Sequence, residues 1–239
     1  MVYQNVFKRY EIKYLLDQAQ QKRILEAMEP YMALDKYGRT TIRNVYYDTD
    51  HFRLIRRSLE HPAYKEKLRI RSYKQLSPDE PAFVELKKKY NGVVYKRRLA
   101  MPEKEAMLWL SGEKCLQPCQ ISREIDYFMQ YYGTLQPRVF LSYEREAYFC
   151  REGGDFRITF DDHILCRQRE LSLTAEVGGT PILPPDKVLM EIKTGGGIPL
   201  WLTRVLTREG IFKTSFSKYG RAYETTIFNG GYEYAGNPF

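Results

Sequence analysis

Segments in which apolar and charged residues alternate recur along this chain, and this period of two is the signature of β-strands. Six of them stand out, at residues 7–14, 67–73, 83–89, 141–145, 156–161 and 188–193. One face of each segment carries lysine or arginine, and in four segments it also carries a carboxylate. The charged residues on these faces are Arg9, Glu11, Lys13, Lys67, Arg69, Arg71, Glu85, Lys87, Lys89, Arg145, Arg157, Asp161, Glu191 and Lys193. This shared basic face constrains the fold more than any other feature.

Two architectures explain a recurring basic face. One is an open sheet with that face in water, and the other is a closed barrel with a basic lumen and helices outside. Like charges on neighbouring strands repel one another, so their recurrence indicates that an anion usually occupies the space between them. We therefore predict an α+β fold, an antiparallel β-barrel with a basic lumen. Helices are expected outside it, near residues 17–31, 50–58, 102–110, 122–132, 199–209 and 217–228.

The composition fits this prediction and favours a single β-rich domain with an anionic partner. The 20 tyrosines and 12 phenylalanines suit half-buried strands, and the length fits a single domain over residues 1–239. The formal charge of +8 indicates an anionic partner. Because no apolar run could span a bilayer and the N-terminus lacks a signal-peptide pattern, a cytoplasmic protein is expected. The four cysteines lack a metal-finger spacing and are expected to be free thiols.

An ordered series of motifs runs through these strands, from Phe7 to Phe228. Its members are Arg9-Tyr-Glu-Ile-Lys-Tyr, Val45-Tyr-Tyr-Asp-Thr, Leu68-Arg-Ile-Arg-Ser-Tyr, Val84-Glu-Leu-Lys, Lys96-Arg-Arg, Tyr143-Glu-Arg, Phe156-Arg-Ile-Thr-Phe-Asp, Met190-Glu-Ile-Lys and Phe216-Ser-Lys-Tyr. The series resembles the VTC domain, the catalytic domain of the vacuolar transporter chaperone polyphosphate polymerases. That domain belongs to the triphosphate tunnel metalloenzymes, which include CYTH-type and fungal-type RNA triphosphatases. The resemblance implies a tunnel-shaped barrel that acts on linear phosphates.

The resemblance also implies roles for individual residues. The tunnel cations that would hold the triphosphate and the growing chain are Lys13, Arg69, Arg71, Lys87, Arg145 and Arg157, with Lys89 and Lys96 as further basic residues. Tyr143 would donate its hydroxyl to a phosphate oxygen. Glu191 would be the main ligand of a divalent ion, Mn²⁺ or Mg²⁺. Glu11 and Glu85 would either assist that ion or orient the lysines.

Ser217 and Lys218 match a Ser-Lys pair near one tunnel mouth in the same family. They open a predicted helix, so Lys218 and the free backbone amides there could form an anion site at the end of the tunnel. A plain N-cap role for Ser217 is an equally good interpretation. The pair Tyr46-Tyr47 is interpreted as packing.

Two positions depart from the family pattern. Arg9 stands where the wider superfamily often has the first glutamate of E-x-E-x-K, which favours the VTC-like branch over a hydrolase with a rich acidic metal cluster. Lys89 stands where the polymerases carry a histidine, two residues after the lysine of the Val-Glu-x-Lys strand. Phosphate binding does not require that histidine. A role in proton transfer at this position would require it.

The resulting hypothesis is metal-dependent phosphoryl transfer on linear phosphates, with ATP, triphosphate or polyphosphate as partners. Its leading form is a polyphosphate polymerase that adds the γ-phosphate of ATP to a growing chain. The alternatives are a triphosphatase on inorganic or nucleoside triphosphate, and a non-catalytic module that binds polyphosphate or nucleotide. Nucleic-acid binding is not expected, because aromatic residues do not interleave with the basic ones as stacking platforms.

Overall fold

The computed structural model describes residues 10–228, and one antiparallel sheet runs through this range. Its strands are β1 (Tyr10–Asp17), β2 (Met32–Leu34), β3 (Thr40–Asp48), β4 (Tyr64–Ser72), β5 (Pro81–Tyr90), β6 (Val93–Pro102), β7 (Gln136–Cys150), β8 (Arg157–Arg167), β9 (Thr180–Pro181), β10 (Lys187–Thr194) and β11 (Lys213–Thr214). The helices are α1 (Gln18–Met28), α2 (Arg53–Leu59), α3 (Glu103–Leu110), α4 (Gln120–Tyr132), α5 (Leu200–Arg208) and α6 (Lys218–Ala222). A π-helical segment, Tyr223–Phe228, follows α6. The predicted strand residues 7–9, Arg9 among them, lie outside the described range.

Backbone hydrogen bonds order the strands as β11-β1-β10-β8-β7-β3-β4-β5-β6, and β2 and β9 pair with β7 and β8. Among the described residues this path does not close into a ring. The sheet nevertheless curls on itself, because Lys87 of β5 reaches Glu11 of β1, with 3.2 Å between Nζ and Oε2. Strands that are far apart along the path therefore face one another across one interior. The predicted antiparallel, barrel-like α+β fold is confirmed.

Helices cover the outer face of the sheet over two hydrophobic cores. In the first, α1 and α5 pack on β1, β8 and β10, and Leu16, Ile24 and Leu202 are fully buried there. In the second, α3 and α4 pack on β3, β4 and β5 around Trp109 and Phe128. Each fully buried side chain of this size contributes about 1.5–3 kcal/mol. Burial against the helices thus explains why the apolar face of each strand points outward.

The six predicted helices are all present, with boundaries within a few residues of those expected. Helix α1 begins after Asp17, whose carboxylate accepts a hydrogen bond from the amide of Gln20 at 2.7 Å. The Gln20 side chain accepts in return from the amide of Asp17 at 3.1 Å, which completes a capping box. A local signal of this kind is readable from sequence, and the position of α1 follows from it.

A third core lies on the concave face, where α2 and α6 pack against β3 and β7. It contains Ile55, Tyr46, Tyr143 and Tyr219, and the rings of Tyr46 and Tyr219 stack with centroids 4.6 Å apart. Asp48 ties these elements together. Its carboxylate accepts from the first amides of α2 and, at 2.9 Å, from the hydroxyl of Tyr219. Helix α6 is thereby held over part of the interior.

Candidate functional site

The concave faces of six strands and the start of α6 surround a cavity of about 120 Å³. Its wall consists of Glu11, Lys13, Tyr46, Lys67, Arg69, Arg71, Lys87, Tyr143, Arg145, Glu191, Lys193, Ser217, Lys218 and Tyr219. Eight of these fourteen residues are lysine or arginine and two are glutamate, so the wall attracts anions. The alternating pattern placed these cations on one face, and the curled sheet turns that face inward.

Glu191 and Asp161 hold the cations on one side of the cavity. Arg145 donates to both oxygens of the buried Asp161 at 2.6 Å, a bidentate pair across β7 and β8. The ammonium of Lys218 lies 2.5 Å from Asp161 and 3.0 Å from Glu191. Burial acts to raise the pKa of Glu191, but Lys218, Lys13 and Arg145 outweigh it and hold that pKa well below its ordinary value. The Glu191 carboxylate is therefore charged at neutral pH.

Glu11 is a second carboxylate of the cavity wall and lies near Glu191. It contacts Lys87 at 3.2 Å and Lys13 at 3.3 Å, and Lys13 lies 3.5 Å from Glu191. Lys87 above all lowers the pKa of Glu11. The Lys13 ammonium thus lies between two carboxylates, and it also donates to the backbone carbonyl of Phe216 at 2.7 Å.

Glu85 lies next to the cavity wall and is enclosed by cations. Arg69 donates to it at 2.7 Å, Arg98 donates at 2.7 Å, and Lys96 lies 2.6 Å away. The Glu85 side chain is fully buried. Burial raises its pKa, but Arg69, Arg71 and Lys96 together lower it further than burial raises it. Glu85 therefore binds Arg69 and Arg98 as well as Lys96, whereas the expectation named only lysines as the groups that it would orient.

Tyrosines position two of the arginines. Arg71 donates to the hydroxyl of Tyr143 at 3.1 Å, and Arg69 donates to the hydroxyl of Tyr46 at 2.9 Å. The Tyr143 ring also lies beneath Arg145, 5.1 Å from its guanidinium carbon. Because the Tyr143 oxygen acts as acceptor towards Arg71, its own proton is left to donate, as the resemblance implies. The interpretation of Tyr46 as packing was incomplete, because its hydroxyl belongs to the cavity wall.

Three predicted basic residues lie on the same inner faces but outside the cavity wall. Arg157 is exposed and pairs in register with Lys193. Lys89 is half-buried and pairs in register with Lys65, and Lys96 is bound to Glu85. These positions extend the basic surface away from the cavity.

Two lysines of the wall, Lys67 and Lys193, were not among the predicted site residues. Burial is the first cause that lowers the pKa of Lys67 to about 7 and that of Lys193 to about 8, and neighbouring cations add to it. Both lysines alternate in step with predicted residues, since Lys67 precedes Arg69 and Lys193 follows Glu191 by two positions. Their place on the same strand face was the signal that could have added them to the predicted site residues.

The N-cap interpretation of Ser217 is the one that the structure shows. Its hydroxyl oxygen accepts from the amide of Gly220 at 3.1 Å at the start of α6, a helix of five residues. Lys218 does not lie at a free helix end, because its ammonium is buried between Asp161 and Glu191. Lys218 belongs to the charge network of the wall, and the anion site on the backbone amides of this helix stays a prediction.

A divalent ion fits this site only in part. Over the described range no group of three or more His, Cys, Asp or Glu side chains could hold a metal ion. Mg²⁺ is usually held by one or two carboxylates together with phosphate oxygens, and Glu191 with Glu11 supplies that number. Glu85 does not fit, since its side chain is fully buried and lies outside the cavity wall. The residues present suit an ion whose ligand set is completed by a phosphate substrate.

A second hollow of about 320 Å³ lies on the outside of the sheet, lined by Lys88, Gln120, Arg123, Glu124 and Tyr127. It is open to solvent, and Glu124 is bound there to Arg97 at 2.8 Å. The inner cavity, with eight cations and two carboxylates in its wall, is the better candidate for phosphate chemistry.

The family model of the VTC domain matches residues 8–227, and the chain belongs to this family. Family membership and the clustered cations together support chemistry on phosphates in general. No curated protein matches the chain. No helix among residues 10–228 is long and apolar enough to cross a membrane.

Several solved structures are similar to this chain at low sequence identity. A candidate adenylate cyclase from Bacillus halodurans is 16% identical, with 88% of this chain and 95% of that chain covered and a TM-score of 0.53. A second candidate adenylate cyclase, from Vibrio parahaemolyticus, is 11% identical, with 91% and 98% covered and a TM-score of 0.47. The mimivirus capping enzyme triphosphatase is 10% identical, with 87% and 91% covered and a TM-score of 0.38. The first of these likenesses supports the barrel-like fold.

Proposed function

We propose that this chain carries out metal-dependent phosphoryl transfer on linear phosphates, and specifically that it is a polyphosphate polymerase using the γ-phosphate of ATP. One observation carries the proposal. Arg69, Arg71, Arg145 and Lys218 converge on a single cavity beside Glu191. Phosphoryl transfer depends mainly on positioning and charge neutralisation, and this arrangement supplies both.

Each group in the wall has a separate task in this proposal. The guanidinium groups of Arg69, Arg71 and Arg145 bind phosphate oxygens in pairs and remain charged at every physiological pH. Lys13 and Lys218 add point charges, and Tyr143 donates its hydroxyl. Glu191, assisted by Glu11, would hold the divalent ion, which would supply positive charge to stabilise the charge that develops during transfer.

Hydrolysis of triphosphate is the second candidate. The observation that favours it is the presence of Glu11 beside Glu191, because two neighbouring carboxylates suit an ion that activates water. Release of monophosphate without chain growth would distinguish this activity from polymerisation. A binding-only module, the third possibility, would bind polyphosphate equally well after Glu191→Gln and after chelation of divalent ions.

Product analysis tests the leading proposal. Incubation with ATP and Mn²⁺ is expected to give a ladder of polyphosphate on a gel, and Lys87→Ala is expected to reduce it strongly. Lys88→Ala is the matched control, because Lys88 is the next residue of β5 and lies outside the inner cavity, in the outer hollow near Glu66. The absence of a chain product with any divalent ion would contradict the polymerase proposal.

Three further expectations from the sequence stay predictions. They are a single domain over residues 1–239, a cytoplasmic location, and no binding of nucleic acid. A steeply salt-dependent shift of single-stranded RNA would contradict the last of them.

A further inference from the structure

One lysine of the cavity wall differs from the cations around it. The ammonium of Lys67 donates a hydrogen bond to Oγ of Ser217 at 2.9 Å. In the described part of the chain no carboxylate forms an ion pair with Lys67, whereas Lys13 and Lys218 each contact two. Ser217 is itself fixed, because its oxygen also accepts from the amide of Gly220. Lys67 is therefore held in the wall without a negative charge to balance it.

The groups that act most strongly on Lys67 are positive or neutral, and Glu11 of the same wall is bound to Lys13 and Lys87 instead. Lys65 and Arg69 flank it on β4, Lys87 lies beside it on β5, Lys13 faces it from β1, and Ser217 contacts it from the segment before α6. Burial first, and then the repulsion of these cations, lowers the pKa of Lys67 to about 7. At neutral pH this lysine is therefore only partly protonated.

An anion in the cavity reverses this balance. A negative charge within about 4–6 Å favours the charged form of a lysine, and a linear phosphate brings several such charges. The protonated ammonium also has three donors, of which Ser217 takes one. Two donors remain for phosphate oxygens.

We propose that Lys67 is a phosphate-binding residue of this cavity and that it takes up a proton from solution when a linear phosphate binds. The inference rests on the proposed function, since it requires a linear phosphate as the ligand. The proton moves from solvent to Nζ of Lys67, and no covalent bond to phosphorus forms or breaks. Uptake of the proton makes binding tighter at lower pH.

Titration calorimetry with inorganic triphosphate measures the proton directly. Binding is followed at pH 7.5 in EDTA, in buffers that differ in ionisation enthalpy, for the wild type and for Lys67→Arg. Arginine keeps the charge but does not titrate at this pH. We expect the wild type to take up roughly 0.5–0.8 proton more than the variant. The difference between the two proteins cancels the protons that triphosphate itself exchanges.

Lys88→Arg is the matched control. Lys88 lies on the neighbouring strand β5 but outside the cavity wall, in the outer hollow. We expect this variant to take up as many protons as the wild type. Equal proton counts in the wild type and Lys67→Arg, or loss of uptake in Lys88→Arg alone, would overturn the inference.

A measurement on the wild type avoids any effect of a substitution on folding. With lysines labelled at the ε-carbon, the resonances of Lys67 and Lys96 are both expected to titrate near pH 7, and that of Lys67 is expected to stop doing so once triphosphate is added. A set of lysine resonances that all titrate above pH 9 would also overturn the inference. If triphosphate does not bind at all, the proposed function fails as well, so the two failures can be told apart.

Discussion

The two sides of the cavity differ in how fully their cations are paired with carboxylates. On the β7, β8 and β10 side, Arg145 and Lys218 are bound to Asp161 and Glu191. On the β4 and β5 side, Arg69 and Lys87 are bound to Glu85 and Glu11, but Lys67 and its neighbour Lys65 have no carboxylate partner among the described residues. Paired cations keep fixed charges and breaking such a pair is strongly destabilising, whereas an unpaired, partly buried cation is destabilising until an anion arrives. The first side thus builds the site, and the second is available to respond to a ligand.

The largest expected effect concerns activity. Glu191→Gln removes the carboxylate that four cations surround, and we expect kcat to fall by about 100-fold or more, since an ion at this position stabilises developing charge. Binding of triphosphate with Mn²⁺ present should weaken, because the variant loses the main residue that would hold the ion. Steady-state kinetics and calorimetry check the two halves. Glu124→Gln in the outer hollow is the control, and equal kcat in both variants would contradict the role of Glu191.

A large effect on stability is expected on the paired side. Asp161→Asn leaves Arg145 and Lys218 buried without their main partner, and we expect the free energy of unfolding to fall by about 3–5 kcal/mol. Urea denaturation measures it. The neighbouring Asp162→Asn breaks a more exposed pair with Arg39 and should lower stability by about 1 kcal/mol or less. Similar losses in the two variants would show that the buried network has no special role.

On the unpaired side, removing a charge should raise the stability of the protein instead of lowering it. Because burial holds the pKa of Lys67 below its unfolded value of 10.5, protonated Lys67 opposes folding fully below pH 7, and this effect disappears as pH rises to 10.5. We expect Lys67→Met to be more stable than the wild type by roughly 1–3 kcal/mol at pH 6, with the gap narrowing towards pH 10. Denaturation at several pH values tests this. A variant less stable than the wild type at pH 6 would contradict it.

The smallest effect is expected where the two sides meet. Ser217→Ala removes the N-cap of α6 and the acceptor of Lys67, and we expect stability to fall by about 1 kcal/mol. Ser215→Ala, an exposed residue in the same segment, should change stability by less than about 0.5 kcal/mol. Thermal unfolding of the two variants measures the difference. An unchanged midpoint of thermal unfolding for Ser217→Ala would contradict a stabilising role of Ser217 between α6 and the cavity wall.

Much of the fold could be predicted because its signals are local. The alternation of Arg69 and Arg71 with Leu68 and Ile70 predicted an inner charged face and an outer apolar one, and the core beneath α3 and α4 has that apolar face. Helix α1 could be predicted in the same way from its N-terminal residues. Period and capping depend on neighbouring residues along the chain, so they need no knowledge of the tertiary structure.

The charge pairing could not be predicted, because it depends on which strands meet and in which register. Asp161 binds Arg145 across β7 and β8, where the ladder shifts between Ser142 and Glu144. Lys218 reaches the same carboxylate only because α6 packs on the concave face, and nothing in its local sequence indicates this. The role of Tyr46 also depends on the tertiary structure. Tyr47 beside it packs in the outer core, and only the curled sheet turns Tyr46 towards the cavity.

A crystal structure with inorganic triphosphate tests most directly the claim that the inner cavity is the site for linear phosphate. The account predicts phosphate oxygens at hydrogen-bonding distance, about 3 Å, from the side chains of Arg69, Arg71 and Arg145. Triphosphate bound in the outer hollow beside Lys88 and Arg123, with none in the inner cavity, would contradict it.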